Sequence, residues 1–326
     1  MTERDIPNWL PFALLILAVV ALFPGVLAGE VLFWGLPSLQ FYPWREFAFE
    51  QIAAGHLPTW NPLVGAGAPL LANYQTAVFY PPNWLHLLLP DAHAMSIVAV
   101  LHVLWAGLGM WLFSGVLGLP AFGRAFSTLA YALSGYLIGR AGSFPTADAA
   151  AWIPWIFWLA WRVMAGGRWR DAGGLALAFA LQLLAGHAQT TWYSAVAVGL
   201  FALWIALWPR RGEPGRGRAR ALALAGLAAL LGAGIAAVQL LPTAEYLLES
   251  QRSGGLDYGT LTNLSYHPLR LVTWLNPNFF GSPIDGSYLT KGKGAFFEDH
   301  AYIGFLPIIA AGAAVWGWLR LRRTAP

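Results

Sequence analysis

Several polar groups in this otherwise apolar chain have the residue types and spacing to do chemistry. In Tyr42-Pro43-Trp44-Arg45-Glu46-Phe47-Ala48-Phe49-Glu50, the acids Glu46 and Glu50 stand four apart. They share a face if Pro43 starts a helix, with Arg45 adjoining. A carboxylate there could take the proton of an attacking hydroxyl, and a guanidinium could hold an anionic group. The same spacing equally suits the solvated edge of an interfacial helix. Asp148 closes Ser143-Phe144-Pro145-Thr146-Ala147-Asp148, a turn before an apolar run. It reads either as a second acid beside Arg140 or as a cap of the following helix. Arg140 itself reads as a phosphate contact or as a snorkelling helix end. His187 and Gln189 fall at a bend between two short apolar stretches. Polar groups there are costly unless they face protein or a water-filled cavity, so a ligand contact and an interhelical hydrogen bond both stand. His102, inside a long apolar run, reads as a packing histidine. Glu298-Asp299-His300 offers oxygen and imidazole to a divalent cation, but only if the chain bends around it. His267, Arg270, Lys291 and Lys293 suit phosphate or lipid headgroups. The chain carries no P-loop, no dinucleotide glycine fingerprint and no HExxH.

The elements that must position these residues are apolar helices. Of 326 residues, 58% are hydrophobic and only 10% charged, with 18 Trp and no Cys. Soluble domains carry roughly 25% charged residues, which argues against a water-soluble enzyme, and a mean hydropathy of +0.55 agrees. The aromatic content excludes disorder; the missing cysteine excludes disulfides, thiolate metal sites and thiol nucleophiles. A membrane crossing needs roughly 20 apolar residues. Candidate spans are 9–29, 95–117, 121–140, 149–166, 172–187, 189–208, 220–241 and 301–319. The expected fold is an all-α polytopic membrane protein of about eight helices, a single transmembrane domain over 1–326. The fifth and sixth spans meet at Gly186-His187-Ala188-Gln189 and read alternatively as a broken or re-entrant pair. The first span has an acidic n-region and a long apolar run, and reads as a retained anchor rather than a signal peptide.

Charge sets the orientation. Thirteen of the 19 Lys and Arg fall on one side, including the Arg-rich loop 209–220, with four acids. The other side holds 6 basic residues and 11 acids, so the faces carry +9 and −5 and sum to the net +4. The basic pI is therefore a topology signal rather than a sign of nucleic-acid binding. Both termini are assigned to the cytoplasm, with 30–94 and 242–300 as extracytoplasmic segments. These are too long to be connectors. Their Trp, Tyr, Phe and Pro content suits interfacial helices, expected at Pro43 to Ala54 (through Trp44, Phe47, Phe49 and Ile52) and around Tyr80 to Leu89.

A string of motifs carries a family resemblance: Tyr42-Pro43-Trp44, Gly55-His56-Leu57-Pro58-Thr59-Trp60-Asn61-Pro62, Gly67-Ala68-Pro69-Leu70-Leu71-Ala72-Asn73-Tyr74-Gln75 and Tyr80-Pro81-Pro82-Asn83. It continues through Ser134-Gly135-Tyr136, Trp152-Ile153-Pro154-Trp155, Ala185-Gly186-His187-Ala188-Gln189-Thr190, His267-Pro268, Asn276-Pro277-Asn278-Phe279-Phe280-Gly281 and Tyr302-Ile303-Gly304-Phe305-Leu306-Pro307. In this order the motifs resemble the YfhO-like bacterial multi-pass membrane proteins, a group similar to the GT-C-type glycosyltransferases, and specifically the N-terminal part of longer members or a shortened paralogue. The resemblance implies transfer of a sugar from a polyprenyl phosphate to a cell-envelope acceptor at the bacterial inner membrane. It implies a general base among Glu46, Glu50 and Asp148. Substrate contacts are implied at Arg45, Trp60, Asn61, Asn73, Gln75, Arg140, His187, Gln189 and His267, with no required cofactor beyond a divalent cation at most. Leu36 stands where the family pattern implies an aspartate. A non-catalytic envelope-assembly partner is the alternative, and a lipid-linked-substrate transporter or flippase ranks below it. The topology predicts that a reporter fused at Arg216 reads cytoplasm and one at Gly286 reads exterior; the opposite pattern overturns the orientation.

Overall fold

In a computed structural model the described residues are 6–32, 37–208, 217–250, 253–255, 258–262, 267–282, 285–288 and 302–324. Leu36, residues 209–216, Lys291, Lys293, Glu298, Asp299 and His300 lie outside them.

Proline and glycine positions set the helix boundaries. Helix α1 (Leu10–Leu22) stops just before Pro24, which opens the short α2 (Pro24–Leu27). After one π-helical turn at Pro37–Phe41, α3 (Tyr42–Ala53) begins with Pro43 in its first turn, where a missing N–H costs nothing. This is the helix expected at 43–54, and its buried face is Arg45, Ala48 and Phe49. That i, i+3, i+4 stripe turns Arg45 inward, while Glu50 stays exposed. A two-stranded antiparallel hairpin follows, β1 (Trp60–Asn61) on β2 (Ala68–Pro69). The second expected helix is a 3-10 stretch, Pro81–Leu87. Its two leading prolines each remove a backbone donor.

The remaining helices are α4 (Asp91–Val116), α5 (Ala121–Ala132), α6 (Gly135–Gly139), α7 (Phe144–Ala151), α8 (Ile153–Gly166), α9 (Trp169–Leu184), α10 (Ala188–Leu207), α11 (Arg218–Ile235), α12 (Ala237–Leu248), α13 (Tyr258–Thr262) and α14 (Phe305–Thr324). Among the described residues, three helices are long and apolar enough to cross a membrane: α4, α10 and α11. The eight continuous spans expected from hydropathy are therefore not what the structure contains. The 121–140 stretch breaks at Ser134, whose hydroxyl caps α6. The 149–166 stretch divides at Trp152, with Pro154 in the first turn of α8. Helix α9 ends at Leu184, and α12 begins after Ala236 with Pro242 inside it.

At the centre lies α4, on which α1, α5, α7 and α8 all pack. Its glycines permit this. A Cβ at Gly107 would fall 2.5 Å from the Leu15 side chain, and one at Gly109 would fall 2.5 Å from the Trp155 ring. On the far side α9 packs against α8 and α11. Apolar side chains on α10, among them Trp192, Val196, Leu200, Leu203 and Leu207, are exposed at roughly helical spacing. This leaves an outward apolar stripe suited to lipid.

Gly186 joins the 30–94 segment to the bundle. It has φ +90°, the left-handed conformation common just past a helix end. A Cβ there would lie 2.7 Å from the Tyr74 carbonyl oxygen. Beside it the Tyr74 hydroxyl donates to the Leu183 carbonyl. Replacing Gly186 by Ala combines backbone strain with overpacking, expected to cost about 1–3 kcal/mol. Gly186→Ala is therefore expected to lower the detergent-solubilised unfolding midpoint, and Gly199→Ala, whose Cβ would meet nothing within 4 Å, to leave it nearly unchanged. Equal midpoints for the two variants would contradict this packing.

Candidate functional site

Two charged side chains are folded into the interior near the meeting of α3, α4 and α7. Arg45 and Asp148 are each 0% exposed. The guanidinium of Arg45 lies over the Phe144 ring, 5.5 Å from its centroid. Phe144 stands one helical turn before Asp148 on α7, so α7 presents a ring and a carboxylate on one side. Among the described residues, all three guanidinium nitrogens of Arg45 lack a hydrogen-bond partner, as do both carboxylate oxygens of Asp148. Nδ1 of His102, from α4, lies 3.3 Å from Asp148 Oδ1. Burial holds the Arg45 guanidinium below its ordinary pKa, and the charge of Asp148 opposes that shift.

An aromatic chain of hydrogen bonds orients His102. Trp152 Nε1 donates to the Tyr80 hydroxyl at 2.7 Å. Indole is a donor only, so the single proton of Tyr80 is left to point at His102 Nε2, 2.5 Å away. Nε2 is then the acceptor, and Nδ1 carries the ring proton, with the Val98 carbonyl at 2.7 Å and Asp148 beyond it. In a neutral ring these partners select the Nδ1–H tautomer of His102 and aim that N–H between a backbone oxygen and the buried acid. Gln182 braces the same region. Its Nε2 donates to the Ala149 carbonyl at 2.9 Å, and its Oε1 accepts from Ser194 at 2.9 Å, tying α7, α9 and α10 together.

The loop carrying Tyr80 is held by its own polar side chains. Asn83 Nδ2 donates to the Ala77 carbonyl at 3.0 Å, and Trp84 Nε1 to the Val78 carbonyl at 3.1 Å. Ala77 sits at φ +50°, a conformation unfavourable for a residue with a Cβ and held here by its surroundings. His86 stacks on Phe49 with centroids 4.7 Å apart, and its Nδ1 lies 2.5 Å from Asp91. Burial and the charge of Arg45 hold the His86 ring well below its ordinary pKa.

The other residues singled out in the sequence are distributed around this cluster. Glu46 accepts from the Tyr42 hydroxyl at 2.6 Å, a bond that pushes Tyr42 up to about 12. Glu50 is exposed on the same helix. Trp60 covers Gly67 across the hairpin turn, and buried Asn61 accepts from the Leu63 N–H at 2.9 Å. Asn73 Oδ1 caps the Tyr74–Thr76 turn, and Gln75 accepts from Gln40 at 3.0 Å. Arg140 lies 4.8 Å from the Tyr136 ring centroid. His187 caps α10 by accepting from the Thr190 N–H, and Gln189 donates to the Tyr193 hydroxyl at 2.8 Å. His267 caps the 3-10 stretch Pro268–Trp274. Of the expected set, Arg45 and Asp148 come together. Asp148 is neither a turn residue nor a cap but lies inside α7. Sequence reasoning missed Tyr80, Asn83, His86 and Gln182. The detectable signal was Gln182, a lone amide in the apolar last turns of α9. No group of three or more His, Asp or Glu residues suited to a metal ion occurs among the described residues.

What this arrangement can do chemically is bind a polar group between a buried cation and a buried carboxylate that is steered by His102. Compared with protein-family models, curated proteins and solved structures, the chain matches none.

Proposed function

We propose that this chain is a YfhO-like, GT-C-type membrane glycosyltransferase, in which Arg45 holds the phosphate of a polyprenyl-phosphate-linked sugar and Asp148 is the general base. The observation that carries this reading is the wholly buried Arg45 guanidinium, without a hydrogen-bond partner among the described residues, above the α7 turn that bears Asp148. An acceptor hydroxyl attacks the anomeric carbon and its proton passes to Asp148. The bond from that carbon to the phosphate oxygen breaks, and its electron pair stays on the phosphate, where Arg45 stabilises the developing charge. Glu46, already held by Tyr42, and exposed Glu50 are less suited to that proton transfer. The interrupted helices α1, α5–α9 and α14 complete about eight crossings around α4, α10 and α11. The 30–94 and 242–300 segments then face the outside of the inner membrane, with both termini in the cytoplasm.

The test is transfer by the purified protein in lipid nanodiscs, supplied with a panel of polyprenyl-phosphate sugars and envelope acceptors. Asp148→Asn is expected to lower transfer by about 10²–10⁴-fold, and Arg45→Lys to weaken donor use, while Glu50→Gln keeps most of the activity. Unfolding midpoints separate loss of chemistry from loss of fold. Absence of transfer from every donor overturns the reading in favour of a non-catalytic envelope-assembly partner, and full activity in Asp148→Asn overturns the assignment of Asp148 as the base.

A further inference from the structure

A second concave feature lies apart from the buried charges. It is a groove of about 640 Å³ between Asn73 and Tyr74 on one wall and Thr243, Tyr246, Glu249 and Ser250 of the α12 end on the other. Pockets of about 300–1,000 Å³ are the usual size for small-molecule sites. The walls are pinned to each other. Gln239 Nε2 donates to the Leu71 carbonyl at 2.8 Å, and the Thr243 hydroxyl reaches the Ala72 carbonyl at 3.0 Å. Tyr74 is anchored through its hydroxyl to the Leu183 carbonyl. The groove is therefore a built feature rather than the accidental gap beside a loose helix.

Among the described residues its lining holds one carboxylate, Glu249, and no Lys, Arg or His, a composition that disfavours anions. It offers instead two tyrosines and a mixture of donors and acceptors. Asn73 uses its Oδ1 for capping, leaving its Nδ2 donor for a ligand. The Tyr246 hydroxyl and the Glu249 carboxylate make no hydrogen bond to another described residue. Aromatic faces beside alternating donors and acceptors match a sugar, whose C–H faces lie on rings and whose hydroxyls both donate and accept. We infer that this groove binds an uncharged saccharide. The same short stretch of chain that forms one wall at Asn73 and Tyr74 ends at Tyr80, in the buried cluster. Assigning the saccharide as the acceptor rests on the transfer reaction proposed above; its binding does not.

Saturation-transfer NMR on the full chain in nanodiscs tests it, with maltotetraose, chitotetraose and mannotetraose as neutral probes, choline as a cationic probe and inorganic phosphate as an anionic one. At least one tetrasaccharide is expected to bind. Binding should weaken 10-fold or more in Tyr246→Ala and in Asn73→Asp, which keeps the capping oxygen but removes the amide donor. Failure of all three saccharides to bind, binding indifferent to both substitutions, or selective binding of choline or phosphate in the groove overturns the inference. Saccharide binding without any transfer supports the groove and counts against the reaction. Transfer with an acceptor KM unmoved by Tyr246→Ala does the reverse.

Discussion

Placing Arg45 and Asp148 in an apolar interior is the constraint on which the rest of the structure depends. A lone buried charge costs several kcal/mol after relaxation, and two opposite charges are tolerated only where each lowers the cost of the other. In this protein the compensation is spread over a neighbourhood. Arg45 rests over the Phe144 ring, Asp148 faces the His102 N–H, and each charge acts on the other. Structural ion pairs ordinarily satisfy their hydrogen bonds directly. Among the described residues the Arg45 nitrogens and Asp148 oxygens find no hydrogen-bond partner, and the proposed substrate contact rests on that.

Much of the surrounding architecture serves to hold those groups still. Glycines on α4 bring α1 and Trp155 close, and α7 and α8 pack on the same helix. Trp152 and Tyr80, from different parts of the chain, choose the proton position of His102. Gln182 and Gly186 lock α9 and α10 against α7 and the Tyr74 turn. A shift of any of these would move the carboxylate relative to the guanidinium. Elsewhere the exposed apolar stripe of α10 packs on no described side-chain cluster and needs no such precision.

The helical, membrane-like character was legible from the low charge and the apolar runs, and α3 was legible from Pro43 and its aromatic spacing. The continuity of the spans was not. Hydropathy windows register apolar content but pass over Ser134 and Trp152-Ile153-Pro154, where helices end, whereas the break at Gly186-His187-Ala188-Gln189 was legible in the sequence. Asp148 stood out as an acid beside an apolar run, yet its depth depends on α4 and could not be read locally. Arg45 drew notice through its neighbours Glu46 and Glu50. The stripe that buries it, Arg45-Ala48-Phe49, was present in the sequence at helical spacing but competes with the assumption that charge faces water. His102 was legible as a partnered histidine; its partners, Tyr80 and Asp148, are matters of tertiary contact.

A double-mutant cycle on unfolding free energy, with Arg45→Met and Asp148→Asn in one lipid composition, tests the mutual compensation of these charges most directly. Each single substitution strands the other residue and should cost about 3–5 kcal/mol. The double variant should fall short of the sum by about 1–3 kcal/mol. Strict additivity would show that the two residues do not share one site.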